Sequence, residues 1–336
     1  MVDLASVQAL PEVGDWPATI PRLETGWRQT GGAVDPANDQ GITNWQAGEL
    51  TKRTRVLKDR VDALTTKAAP LVTVGPGGQY ATINAALAAL SDRRPSYVPG
   101  GFMAEVRLLA GYVMAEQVLV NGINLGWITI TSVAAEVQID RSVLINELAD
   151  GHYPAWGARN AGVIPAIGCL FAMTETGVAP GRHGISLLAG AGGRVLAGAG
   201  VRNAGDCGAN VYKAATLDAA GAIFSQAKQV GLLVSNGSTA SFQNGIAVDC
   251  GYRAIAASTG SRINAVEADL RRGGTNCVYA NAGCQIAMTG AQARVGAADA
   301  TTDIICQQGS TIAAAGSTGG TSVTINQLSA AGVVFK

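Results

Sequence analysis

The chain has 336 residues, enough to bury one large core and a smaller module. Its 24 basic and 24 acidic residues cancel, which excludes a nucleic-acid grip driven by counterion release; positive mean hydropathy without long charge runs excludes a disordered chain. Glycine supplies 44 residues and aromatics only 5%, a composition that suits a thin, repetitive β-architecture better than a globule anchored on large rings.

The opening, "MVDLASVQALPEVGDW", has no basic stretch followed by an apolar run, so no signal peptide is expected and synthesis in a cytoplasm follows. No segment reaches the apolar length of a membrane span, so no membrane insertion is expected. Residues 1–43 are rich in Pro, Gly and Trp without period and need a partner surface to be ordered. Residues 44–69 contain the strongly helical run, "NWQAGELTKRTRVLKDRVDALTTK", with Asn44 as N-cap. Leu50, Leu57 and Leu64 repeat every seven residues, with Ala47, Thr54 and Val61 interleaved, making one a/d seam. Two readings stand: a short coiled coil between subunits, or an amphipathic helix docked on its own chain.

After Pro70 the texture turns to β. Residues 70–103 hold "VTVGPGGQYATINAALAAL", a short strand, a turn and one small helix. Ile83, Leu87 and Leu90 share a face of that helix and can close the end of a stack of strands. The "GPGG" lacks the Lys-Ser/Thr of a phosphate-cradling loop. Residues 104–140 carry short strands with Gly and Asn breaks, fit for one or two coils.

From residue 184 a repeat is legible. Taking Gly190, Thr216, Gly237, Gly260, Gly283 and Gly309 as anchors, the spacings are 26, 21, 23, 23 and 26. Five residues before the anchors stand Ile185, Val211, Leu232, Ile255, Val278 and Ile304. Three residues after them stand Gly193, Ala219, Ala240, Ile263, Ile286 and Ile312. Short alternating strands at such a period predict a solenoid, in which each coil satisfies the strand edge of the one before. The expected architecture is mainly β, a parallel β-helix over 104–320 with a C-terminal tail or strand at 321–336.

The segment "VTVGPGGQYATINAALAALS" resembles the opening of right-handed β-helix proteins of the pectin-lyase-like superfold, especially tail fibres and tailspikes of tailed phages. "PRLETG…NWQAGELTKRTRVLKDRVDAL" is similar to the virion-proximal part of phage tail fibres. The resemblance implies a homotrimer in the virion tail. It would join other tail proteins through residues 1–67 and project its β-helix toward the host, where it contributes to adsorption or carries a further receptor-binding protein.

Many such proteins cleave host surface polysaccharide with a pair of carboxylates, which makes a depolymerase the alternative. The candidates are Asp249, Glu267 and Asp269. On one strand Glu267 and Asp269 would share a face, with Cα atoms roughly 6.5–7 Å apart. A solvated charged face is the competing reading. A second candidate region is 146–183, expected as a long excursion from the coils, where His152, Tyr153 and Trp156 would stack on sugar rings, or else Tyr153 and Trp156 would cover a strand edge or pack against a neighbouring subunit. Two histidines and six cysteines without a CxxC pair predict no metal and no cofactor, and the cysteines read as reduced, buried small hydrophobes.

Overall fold

The structure, a computed structural model, describes residues 50–59, 65–66, 70–91, 94–95, 103–294 and 303–336. The chain divides into two compact units, Met1–Ala68 with Asp92–Ser96, and Ala69–Ser91 with Tyr97–Lys336. In the first unit residues 50–59 are helical. Thr65–Thr66, read from sequence as the end of that helix, is instead a short strand paired parallel with Arg94–Pro95. The segment 1–43, and Ala47, Val61 and Leu64 of the seam, lie outside the described residues. Leu50 and Leu57 are exposed on the helix, and the Thr54 hydroxyl donates to the Leu50 carbonyl, 2.9 Å away.

The second unit is a parallel β-solenoid of about nine turns. Two long sheets run along it. One has eight strands, from Val118–Asn121 through Trp156–Arg159, Ile185–Leu188, Ala209–Tyr212, Val230–Ser235, Arg253–Ser258 and Asn276–Asn281 to Ile304–Cys306. The other has seven, from Gly192–Arg194 to Gly332–Phe335. Two four-stranded sheets complete the early coils. Leu71–Val74 already pairs with Ala104–Leu108, so the solenoid begins inside the segment read as a cap. It continues into the segment read as a tail or strand, where the strand Gly332–Phe335 pairs with Ser310–Ala313.

Alternation explains the interior. Ile185, Ala209, Leu232, Ile255, Val278 and Ile304 lie in one register column, all fully buried, and each stacks on its counterpart one coil away. Larger rings occupy the wider places: Trp156 packs edge-on against Phe171, and Phe224 lies nearly parallel to Phe242 at 5.5 Å. All six cysteines are buried and unpaired.

Between the two long sheets the chain turns through two successive left-handed residues. Asn236 and Gly237 have φ of 52° and 72°, Thr259 and Gly260 52° and 69°, Ala282 and Gly283 57° and 72°. The same turn in the preceding coil is made by Lys213 and Ala214, at 57° and 59°. The anchor in that coil is therefore Ala214, two residues before the Thr216 taken from sequence. Thr216 instead pairs with Gly192 and Thr239.

The helix Ile83–Ser91 buries Ile83, Ala86, Leu87 and Leu90 in the core at the first coil. Its N-terminus is held from the next coil: the Ile83 and Asn84 N–H groups donate to the Glu116 carboxylate at 2.6 and 2.9 Å. The Tyr112 hydroxyl donates to the same carboxylate at 2.7 Å.

The expected excursion over 146–183 is much shorter than predicted. Trp156–Arg159, Ala166–Ile167 and Leu170–Met173 are strands of a regular coil. Their glycine, alanine and methionine content hides the β-branched signature that marks the later strands. The chain leaves the coil mainly around residues 140–154, where it lies over the outer face of the eight-stranded sheet. Among the described residues no helix is long and apolar enough to cross a membrane.

Candidate functional site

Of the three candidate carboxylates, none shares a strand with another. Glu267 is in a turn with φ of 57°, at a position filled in other coils by Gly198, Gly221, Asn244 and Gly290. The strand before it ends at Asn264, so the expected shared strand face with Asp269 does not form. A glutamate at the usual glycine position hid the turn from sequence reading. Asp269 follows that turn, in register with Ile246 and Gln292 of the adjacent coils. It grips Arg271 in a bidentate pair at 2.8 and 2.7 Å.

Asp249 belongs to a third column of left-handed residues, Asn203, Gln226, Asp249 and Arg272, with φ between 58° and 61°. One coil separates Asp249 from Arg272, and the two join in a bidentate pair at 2.5 and 2.8 Å. The hydrogen-bonded guanidiniums hold both aspartates below the usual carboxylate range, Arg272 for Asp249 and Arg271 for Asp269. A general acid for glycoside cleavage needs the opposite shift.

The outer face of the seven-stranded sheet forms an open trough of about 560 Å³. Its floor is the backbone at Leu217, Ala240 and Ile263, whose side chains point into the core. Thr216, Thr239, Arg262 and Gln285 form one wall, Asp218, Ser241 and Asn264 the other. Successive rungs repeat every ~4.8 Å, so the walls present an axial ladder of hydroxyl, amide and charged groups.

His152, Tyr153 and Trp156 have separate fates. Trp156 is a core residue with no exposed surface, so it offers no platform for a sugar. Its position in Trp156–Arg159, paired with Ile185–Leu187, turns the indole inward. Tyr153 is half-buried, and its N–H donates to the Gly181 carbonyl at 2.7 Å. His152 closes over the outer face of the eight-stranded sheet and meets polar groups there.

Ser186 and Asn210 are neighbours in an outward-facing column of that sheet, and both are buried beneath the excursion. The His152 Nδ1 is 3.0 Å from the Ser186 hydroxyl and 3.2 Å from Asn210 Nδ2. The His152 ring meets that of His183 edge-on at 4.8 Å. His183 Nε2 is 3.4 Å from Asn210 Nδ2, and its Nδ1 faces the Asp206 carboxylate at 4.0 Å. Asp206 accepts from the Gly181 N–H at 2.7 Å and from the Cys207 thiol at 3.5 Å. Burial pulls His183 down to about 4 and lowers His152 as well, leaving both rings neutral at pH 7. Burial, reinforced by Asp206, pushes the Cys207 thiol well up, so it is no ready nucleophile. Sequence reading missed Ser186, Asp206, Cys207 and Asn210. The coil period was the available signal: His183 and Asp206 are 23 residues apart.

No protein-family model and no curated protein matches this chain.

Proposed function

We propose that the chain is a virion structural protein of a tailed phage, a homotrimeric tail fibre or short tailspike. Residues 1–67 would attach it to other tail proteins, and the solenoid would form the body that contributes to host adsorption or carries a further receptor-binding protein. The observation that carries this reading is a long parallel solenoid that follows, in sequence, a helix whose leucines at seven-residue spacing, Leu50 and Leu57, are exposed. Such a seam is what a short coiled coil between copies needs. We read the winding as right-handed, the sense that parallel crossovers adopt in about 98% of cases.

Within this reading the trough is a contact surface for host glycan. The arginine-paired state of Asp249 and Asp269 argues against either as a general acid, and the depolymerase stands as the competing reading. Deletion of residues 1–67 should leave a β-rich body that no longer joins particles, and incorporation at normal copy number would overturn the anchor. Leu57→Asp should convert a trimer into monomers on light scattering; an unchanged mass would return the helix to its own chain.

A further inference from the structure

We propose that His183, Asp206 and Cys207 bind one borderline-soft divalent cation, zinc foremost, and that Asn210 orients the His183 ring for it. The three residues come from two adjacent coils, and one ligand atom from each lies within 4.8 Å of the others. Two of the separations are already short: 4.0 Å between His183 Nδ1 and Asp206 Oδ2, and 3.5 Å between Cys207 Sγ and Asp206 Oδ1. Zinc bonds of about 2.0–2.1 Å to nitrogen, 2.0–2.2 Å to oxygen and 2.3 Å to sulfur would bring the ligand atoms to roughly 3.5 Å from one another, so the widest pair must close by about 1 Å.

The donor set of imidazole, thiolate and carboxylate is that of zinc and its neighbours, not of magnesium or calcium, and Cys207 gives up its thiol proton to solvent when it ligates. The Cys207 N–H points at Nδ1 from 3.3 Å, a long contact that a cation would displace. Asp206 is the least buried of the three, with its side chain 20% exposed, so solvent reaches the cluster on its side, where a water would be the fourth ligand.

Asn210 stands behind the His183 ring. Its Oδ1 is buried without a hydrogen-bond partner, while its Nδ2 sits opposite His183 Nε2. Turning the amide over places Oδ1 at that ring nitrogen, where it would accept from Nε2–H. A histidine ligating through Nδ1 requires an acceptor of this kind behind it, which fixes tautomer and ring orientation. The bound ion would clasp the coil carrying His183 to the coil carrying Asp206 and Cys207, beneath the excursion that brings in His152.

The test uses the full chain, stripped with a chelator, dialysed and titrated with zinc by calorimetry and with cobalt by absorption. One ion per chain and a thiolate-to-cobalt charge-transfer band are expected. Asp206→Asn, close to isosteric, should weaken zinc binding by about a hundredfold or more. Cys207→Ser should abolish the band, whereas Cys250→Ser, which alters a buried thiol elsewhere, should leave it intact. No saturable zinc binding, undiminished affinity in Asp206→Asn, or a band that survives in Cys207→Ser would each overturn the proposal. If Cys207→Ser does not fold, Asp206→Asn decides alone.

Discussion

The glycines of the solenoid separate two costs that a glycine can avoid, one torsional and one steric. Gly237 has φ of 72°, and a Cβ built there meets nothing within 4 Å. Gly237→Ala therefore charges only for the left-handed backbone, about 1–2 kcal/mol, less the roughly 0.4–1 kcal/mol that alanine saves by restricting the unfolded chain. The net should be about 1 kcal/mol of destabilisation. Ala214 occupies the same turn with φ of 59°, so Ala214→Gly reverses both terms and should be neutral or stabilise by up to about 1 kcal/mol. Gly251 poses the other problem, because a Cβ there would lie 2.1 Å from the Lys228 carbonyl oxygen, a backbone atom that no rotamer can move. Gly251→Ala should cost about 3 kcal/mol or more. Urea unfolding followed by circular dichroism at constant m-value ranks the three. The reasoning fails if Gly237→Ala costs as much as Gly251→Ala, or if Ala214→Gly destabilises by more than about 1 kcal/mol.

Phe242→Ala should cost about 3–5 kcal/mol in the same assay, since the ring is fully buried and stacked on Phe224; a loss below 1 kcal/mol would mean the coils collapse into the space. In chelator-treated protein, stability should fall as pH drops from about 6.5 toward 4. Because His183 is lowered to about 4 in the folded chain, the unfolded chain binds the proton first, and over that window stability rises with pH, by ~3 kcal/mol at most from this group. Urea midpoints at three pH values measure it, and His183→Gln should flatten the slope.

Much of the fold was legible because the solenoid repeats a simple alternation. The column through Ile185, Leu232, Ile255, Val278 and Ile304 stands as read. One coil was read two residues out of register, because Ala214 fills a position that is glycine in its neighbours. A slip of two keeps every side chain on its own face, so Val211 and Ala219 still read as inward residues, and both are buried. The coil at Trp156–Arg159 lacks the β-branched residues that mark a strand, so its tryptophan reads as a loop residue, whether stacking on sugar or covering an edge, and not as the core residue it is. The polar cluster was harder, since Ser186 and Asn210 point away from the core and are buried only by the excursion above them. Sequence alternation labels such positions as solvent-facing; only the path of a distant loop makes them interior.

The uniform middle of the solenoid has a consequence for how the molecule can vary. Ala209, Leu232, Ile255 and Val278 are aligned at intervals of 23 residues, and the left-handed columns through Asn203 and Gly221 keep the same interval. Excising residues 233–255 would bring Leu232 to the place of Ile255 with every turn column still aligned. Length in this part of the body is thus a quantised quantity, adjustable in single steps of ~4.8 Å by gain or loss of one whole unit. Each step adds or removes one row of the trough, so the length of the body and the length of the trough change together.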